Sequence, residues 1–236
     1  MQKKTFYTEL AYLFGLIILS LGAALMTIAD LGLSMVVAPA YLLHLKISKF
    51  LPFFSFGMAE YAFQASLLLI TVLVLRKFRV SFLFSFLTAV LYGLLLDLFI
   101  FLVGFIPHSH LAVQILLYAV GLIVTTAGVS LLFHTYISPE VYELFVKEVS
   151  AKFNLPMYKF KLVYDLVSCL VAILMSFAFF GFWQFEGVKI GTIVCAVLNG
   201  PLIGLFSKIF EKFFDFKDGL PLRPFFEGKQ EQTDET

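Results

Sequence analysis

The residues of this chain that could do chemistry stand inside apolar sequence. Asp97 lies in YGLLLDLFIF, eight residues before Phe105. In a helix that places it roughly 12 Å from that end, with Gly93 one turn earlier on the same face. An ionisable group at such a depth is costly and is a functional candidate by default. Its plainer role is to cap a kink or pair with another helix. Glu60 in FGMAEYAF and Asp165 in KLVYDLV form a second set. Asp165 has Lys161 one turn before it, a local ion pair of about 0.2–0.5 kcal/mol. Glu60 has no such neighbour, only Gln64 one turn on. An unpaired acid there binds a cation or takes up a proton, or else serves a helix interface.

Asn199–Gly200–Pro201 falls near the middle of the last apolar block. Pro201 removes a backbone donor and Gly200 permits distortion. The freed carbonyls, with the Asn199 amide, would bind a substrate or an ion where they face a cavity; otherwise the tripeptide is a structural kink. Asp30 closes the first block in IADLGLS, as a turn-shaping residue or at the mouth of a cavity. His134 and Tyr136 stand at the matching exit in the second half. A histidine titrates near neutrality, but a lone one at such a boundary is more often a polar anchor. His108 and His110 are weak evidence for metal without further ligands. Cys169 and Cys195 read as small buried apolar residues. No Ser/His or Cys/His constellation is present, and Tyr164–Asp165 lacks the Gly-x-Gly-Asp partner of an intramembrane aspartyl protease. The sequence therefore carries no enzyme signature, cofactor site or metal site.

The elements that must hold these residues are membrane helices. Hydrophobic residues make up 61% of the chain and charged ones 14%, with mean hydropathy +0.96. Soluble domains carry about 25% charged residues. The net charge of +1 is uninformative about nucleic acid, but the basic residues sit between apolar blocks and form no patch interleaved with aromatics, so no nucleic-acid partner is expected. Six blocks approach the roughly 20 residues needed to cross a bilayer: Leu10–Ile28, Phe56–Leu75, Phe82–Phe105, Leu111–Phe133, Leu162–Phe182 and Ile190–Phe210. Leu31–Leu45 is too short to cross and is interrupted by Pro39. Pro139–Phe153 is amphipathic, with Val141, Leu144, Phe145 and Val149 on one face and Glu143, Lys147 and Lys152 elsewhere. That pattern predicts a helix lying in the interface.

With six spans and a cytoplasmic N-terminus, every lysine and arginine except Lys46, Lys49 and Lys189 falls on the inner side, as the positive-inside rule requires. Were both short segments to cross, Glu140, Glu143, Lys147 and Glu148 would enter hydrocarbon at a cost of several kcal/mol. The first block is longer than the apolar core of a signal peptide. The segment after Phe210 is charged and ends GKQEQTDET, which predicts a short disordered tail.

The chain also repeats itself. SLGAALMTIADLGLS, from Ser20 to Ser34, matches TAGVSLLFHTYISP at 126–139, with Gly22 over Gly128 and Leu25 over Leu131. Phe82–Phe99 matches Lys189–Phe206, with Gly93 over Gly200. Three spans per copy is odd, so the copies enter from opposite sides. Inverted repeats give outward-open and inward-open forms of similar energy.

GAALMTIADLGLS, GVSLL…ISPE and KIGTIVCAVLNGPLIGLF resemble the YczE/YyaS/YitT-like bacterial membrane proteins. Gly191, Thr192, Gly200, Pro201, Leu202 and Ile203 fit the pattern of that family, while Met35 and Val36 depart from it in the first turn. The resemblance covers most of 10–212, lacks the soluble C-terminal domain of the YitT branch, and implies a fold more than an activity.

The expectation is an all-α polytopic membrane protein with six transmembrane helices arranged as two inverted three-helix repeats, each with one short re-entrant or interfacial helix. Residues 1–9 form a cytoplasmic N-terminus and 10–105 the first repeat, with its short segment at 31–45. An outer loop at 106–110 leads to the second repeat at 111–210, with an inner helix at 139–153, and 211–236 is a cytoplasmic tail. The expected place is the bacterial plasma membrane. The expected role is a small secondary transporter or exporter of an unidentified solute, with Asp97, Glu60, Asn199, Gly200, Pro201, Asp30 and Asp165 as its site. The alternative is a non-transporting accessory or scaffold protein. Expected partners are the lipid bilayer, the solute, and a second copy or a membrane protein.

Overall fold

The computed structural model describes residues 3–32, 34–54, 56–107, 110–182 and 186–227. Its long helices are α1 (Thr8–Ala29), α3 (Phe56–Leu75), α4 (Phe84–Val103), α5 (Leu111–Phe133), α7 (Met157–Phe180) and α8 (Ile190–Phe213). All six are long and apolar enough to cross a membrane, as in an all-α polytopic membrane protein. Two short helices, α2 (Ala38–Ile47) and α6 (Val141–Lys152), follow α1 and α5. The order long, short, long, long therefore occurs twice.

Local chemistry sets the boundaries. α1 stops at Asp30, which takes the left-handed conformation at φ 50°, a region aspartate tolerates better than most residues. Pro39 does not interrupt α2; it sits in the first turn, where a missing N–H leaves no intrahelical bond unmade. Pro156 precedes α7, so the helix begins before the apolar block does and takes in Lys159 and Lys161.

α1 packs most extensively against α5. The contact rests on four glycines. A Cβ on Gly128 would lie 2.5 Å from Leu19 N and 2.8 Å from Gly15 O; one on Gly121 would lie 2.7 Å from Met26 Cγ and 2.8 Å from Gly22 O. Gly22 in turn faces Thr125 and Gly121, and Gly15 faces Leu132. Contact positions rise along α1 as they fall along α5, so the two helices are antiparallel. Under the register that aligns Gly22 with Gly128, Gly15 aligns with Gly121, Leu19 with Thr125, and Met26 with Leu132. The contact therefore maps onto itself.

The surrounding packing is partly matched. α4 lies on α1 and α8 on α5, while α2 and α6 each touch both α3 and α7. The match fails at one place. α7 packs along α8, where a Cβ on Gly200 would lie 2.8 Å from Leu162 Cβ. α3 does not pack along α4 in the same way, and Gly93, the residue aligned with Gly200, has nothing within 4 Å of where its Cβ would be.

Two features differ from the sequence expectation. First, α6 is packed within the protein over most of its length. No residue from Val141 to Ser150 is exposed, and Glu143 is 7% exposed. Its polar side chains meet Lys161 of α7, the Arg79 guanidinium and the backbone oxygens of Thr135 and Val74, which the amphipathic pattern alone does not reveal. Second, the segment after Phe210 folds back. β2 (Phe214–Lys217) pairs in parallel with β1 (Lys4–Tyr7), and α9 (Arg223–Glu227) follows. Glu9 accepts hydrogen bonds from Tyr136 OH at 2.6 Å and from the backbone N–H of Gly219 and Leu220. Thr8 Oγ1 donates to Asp218, whose carboxyl the Arg223 guanidinium holds below its ordinary range. Ser81 Oγ donates to Phe226 O, and the Phe226 ring packs on Phe84 and Tyr136. Pairing partners more than 200 residues away, not local composition, order this segment. GKQEQTDET lies outside the described residues, as does His108.

Candidate functional site

The largest departure from an apolar interior is a set of charged side chains where α3, α6, α7 and α8 meet. Starting α7 at Met157 puts Lys161 and Asp165 one turn apart on one face, and both are buried, at 1% and 0% exposure. Their Nζ and Oδ1 atoms are 2.9 Å apart. α8 lies close enough at Gly200 for the Asn199 amide to donate to Asp165 Oδ2 at 2.7 Å. From α6, Glu143 Oε1 stands 3.5 Å from Lys161 Nζ.

A second group adjoins through α6. Tyr142 OH donates to Glu60 Oε1 of α3 at 2.8 Å, and Gln64 Nε2 donates to the same oxygen at 3.2 Å. Glu140 opens α6 and is 8% exposed. Burial pushes its carboxyl well above the usual range; Glu143 and Glu60 add to this, and Lys161 opposes it. Burial likewise raises the Tyr142 phenol, with Glu60 reinforcing the shift. Among the described residues of this group, Glu140, Glu143 and Asp165 share the Lys161 ammonium, and Glu60 meets only Tyr142 and Gln64. A buried pair of opposite charges offsets its own desolvation only with good geometry and further hydrogen bonds, and an unmatched carboxylate does worse. The network can hold protons or positive charge, and it has no nucleophile–base arrangement. Among the described residues no three His, Cys, Asp or Glu side chains are placed to hold a metal ion.

The sequence candidates divide. Asp165 and Asn199 are bonded to each other, and Glu60 belongs to the adjoining group. Gly200 provides the close approach between α7 and α8. Pro201 lies on the exposed side of α8, which runs through it without a break from Ile190 to Phe213. Asp30 is exposed and pairs with Lys189 at 2.7 Å. Asp97 is exposed on α4, outside the network's contacts. His134 stacks on Phe216 with ring centroids 4.5 Å apart, and so anchors the returning segment. Cys169 and Cys195 are buried free thiols.

Sequence reasoning did not place Lys161, Glu143, Glu140 or Tyr142 in the interior. The available signal was PEVYELF, two acids within an otherwise apolar chain directly after a helix exit.

Glu140 makes a prediction about pH. Its folded-state proton affinity exceeds that of the unfolded chain, so native stability falls as pH rises from the ordinary carboxylate range through the raised value. Glu140→Gln removes that loss. Thermal midpoints in detergent between pH 5 and pH 9 should show the variant gaining on wild type with rising pH, by about 2–4 °C for each kcal/mol of penalty removed. Parallel curves would show that Glu140 does not carry the penalty.

No curated protein and no solved structure matches this sequence. A family model matches residues 6–208, and on that match the chain belongs to a family of unknown function (DUF6198).

Proposed function

We propose that this chain is a small secondary transporter of the bacterial plasma membrane, built from two inverted repeats, with both termini in the cytoplasm and an unidentified small solute as cargo. The observation that carries the reading is the desolvated network of Lys161, Asp165, Asn199, Glu143 and Glu60. Charge inside an apolar bundle is expensive, and solute and ion pathways are its commonest use. The antiparallel, self-matching α1–α5 contact supports the inverted arrangement. The pairing of β1 with β2 agrees with an even number of crossings, which would leave both strands on one side. The likeness to YczE/YyaS/YitT-like proteins agrees with this arrangement and adds no substrate.

The mismatch between the halves supports alternating access. α7 is closed on α8 while α3 stands off α4. Exchanging the two conformations would close α3 on Gly93 and part α7 from Gly200, opening the network to the other side around a fixed α1–α5 hub.

Two measurements test the proposal. Single cysteines replacing the exposed Lys49 and Lys77, in a chain lacking Cys169 and Cys195, should react with impermeant reagents from opposite sides of the membrane; labelling from one side overturns the topology. Cells lacking the gene should differ from wild type in the distribution of at least one solute across the membrane, and Glu60→Gln should fail to restore it. Identical solute profiles in all three strains would sink the transport reading.

A second reading, a non-transporting membrane partner of another protein, is favoured by α4. It fully buries only Ser85 and Thr88 and exposes Asp97. Capture of one stoichiometric membrane partner, lost in Asp97→Leu, together with unchanged solute profiles, would establish it.

A further inference from the structure

The network is unbalanced in hydrogen bonding as well as in charge. Within the network Glu60 Oε2, Gln64 Oε1, Glu143 Oε2 and Asn199 Oδ1 are buried and accept no hydrogen bond, Asp165 Oδ1 meets only the Lys161 ammonium, and outside it the Ser85 hydroxyl of α4 is also buried without a partner. The four unbonded network atoms are all acceptors. The donors that meet this group bond within it: Gln64 Nε2 and Tyr142 OH to Glu60, Asn199 Nδ2 to Asp165, and Lys161 Nζ between Glu143 and Asp165. Gln64, Asn199 and Glu143 are 4%, 5% and 7% exposed, so bulk water does not supply what is missing. Leaving a buried acceptor unmade costs about 1–3 kcal/mol, and more for a carboxylate.

These atoms define what would satisfy them. An anion adds to the negative excess. A neutral hydroxyl compound supplies donors and leaves the excess in place. A bare metal cation needs several ligands gathered about it, and among the described residues no three His, Cys, Asp or Glu side chains are so placed. An ammonium carries three N–H donors and a guanidinium five, each with a full positive charge. Buried Leu67, Leu68, Cys169 and Cys195 belong to the same core as Tyr142 and Leu144 and provide apolar surface for a carbon skeleton.

We infer that the site takes an organic cation bearing N–H groups, a primary amine or guanidine, and that this cation and protons compete for the same carboxyls. This rests on the transporter reading for its consequence, which is exchange of amine for protons, but not for the binding itself. Entry of the cation favours the ionised form of the carboxyls it meets, and a proton bound there leaves to solution. The titratable groups facing Glu60 are Glu140 and Tyr142 of α6 and Tyr92 of α4. Around Glu143 they are Lys161, Tyr164 and Asp165 of α7.

The test uses the full chain in lipid nanodiscs with three probes: n-butylammonium, which has charge and N–H donors; tetramethylammonium, which has charge alone; and butyramide, which has N–H donors alone. Sodium chloride is the ionic control. Titration calorimetry and a pH indicator in weak buffer read binding and proton release. Butylammonium should bind at least tenfold more tightly than either other probe and should release protons. Glu60→Gln, which keeps a side-chain oxygen for Tyr142, should fold and lose at least tenfold in butylammonium affinity. Gln64→Leu should weaken binding without changing proton release. Equal affinity for all three probes, no butylammonium binding, or the same proton release by sodium would overturn the inference. Amine binding without flux in proteoliposomes would keep the ligand class and sink the transporter. Flux of an uncharged solute without amine binding would do the reverse.

Discussion

Lys161→Met should be among the most damaging single substitutions in the chain. Methionine keeps most of the side-chain volume, so the loss is one of charge. Lys161 is 1% exposed, and its ammonium sits 2.9 Å from Asp165 and 3.5 Å from Glu143. Removing one partner of a buried pair strands the other, at about 3–5 kcal/mol. For a chain of this size that lowers the thermal midpoint by roughly 6–20 °C, read by fluorescence-detected size exclusion after heating. Compensation gives the sharper test. Lys161→Met combined with Asp165→Asn and Glu143→Gln removes the stranded charges, and apolar or neutral replacement of a whole buried group is often close to neutral. The triple variant should recover most of the lost stability while abolishing any function of the network. A triple variant no more stable than the single one would mean that Lys161 acts through packing, for example through its ammonium over the Tyr164 ring. The stability and the function of the network would then be separate matters.

How far the sequence led depends on where its information lies. Phe56–Leu75 and Leu111–Phe133 coincide end to end with α3 and α5, because a membrane helix is written in a contiguous run. Gly22 over Gly128 was visible as a repeat, yet its meaning as one self-matching contact appears only when Leu19, Thr125, Gly15 and Gly121 are seen together. The Lys161–Asp165 spacing was legible as a local ion pair. That Asn199 completes it, and that Glu143 joins from α6, depends on contacts across 34 and 18 residues of chain. Period and hydropathy do not encode such contacts. The amphipathic pattern of α6 correctly gave a helix but not its surroundings, since a polar face satisfied by buried charges reads the same as one satisfied by water. Depth along the helix ranked Asp97 high because apolar neighbours in sequence resemble an apolar interior. Whether such a residue faces lipid or protein is set by which helices pack on it, and α3 does not pack along α4.

The glycines give the second large effect, and they separate fold from motion. Gly22→Leu and Gly128→Leu should each prevent α1 and α5 from meeting. The obstructing atoms are backbone: Thr125 N and Gly121 O for Gly22, and Leu19 N and Gly15 O for Gly128. Overpacking against side chains that can move costs about 1–3 kcal/mol, and backbone cannot turn aside, so the cost should exceed that range. Because the two positions are equivalent, both variants should show the same loss of monodisperse protein. Gly93→Leu should behave in the opposite way. Nothing lies within 4 Å of its added Cβ, and replacing a helical glycine gains up to about 1 kcal/mol of propensity. The fold should hold or strengthen. Yet if α3 must close on α4 where α7 now closes on Gly200, leucine at Gly93 fills the seat that closure needs. Gly93→Leu should then be well folded, keep ligand affinity, and fail to exchange solute. Gly93→Ala, with one carbon added, should retain part of the exchange. Full activity in Gly93→Leu would leave the α1–α5 hub in place and remove the exchange of repeat conformations as the mechanism.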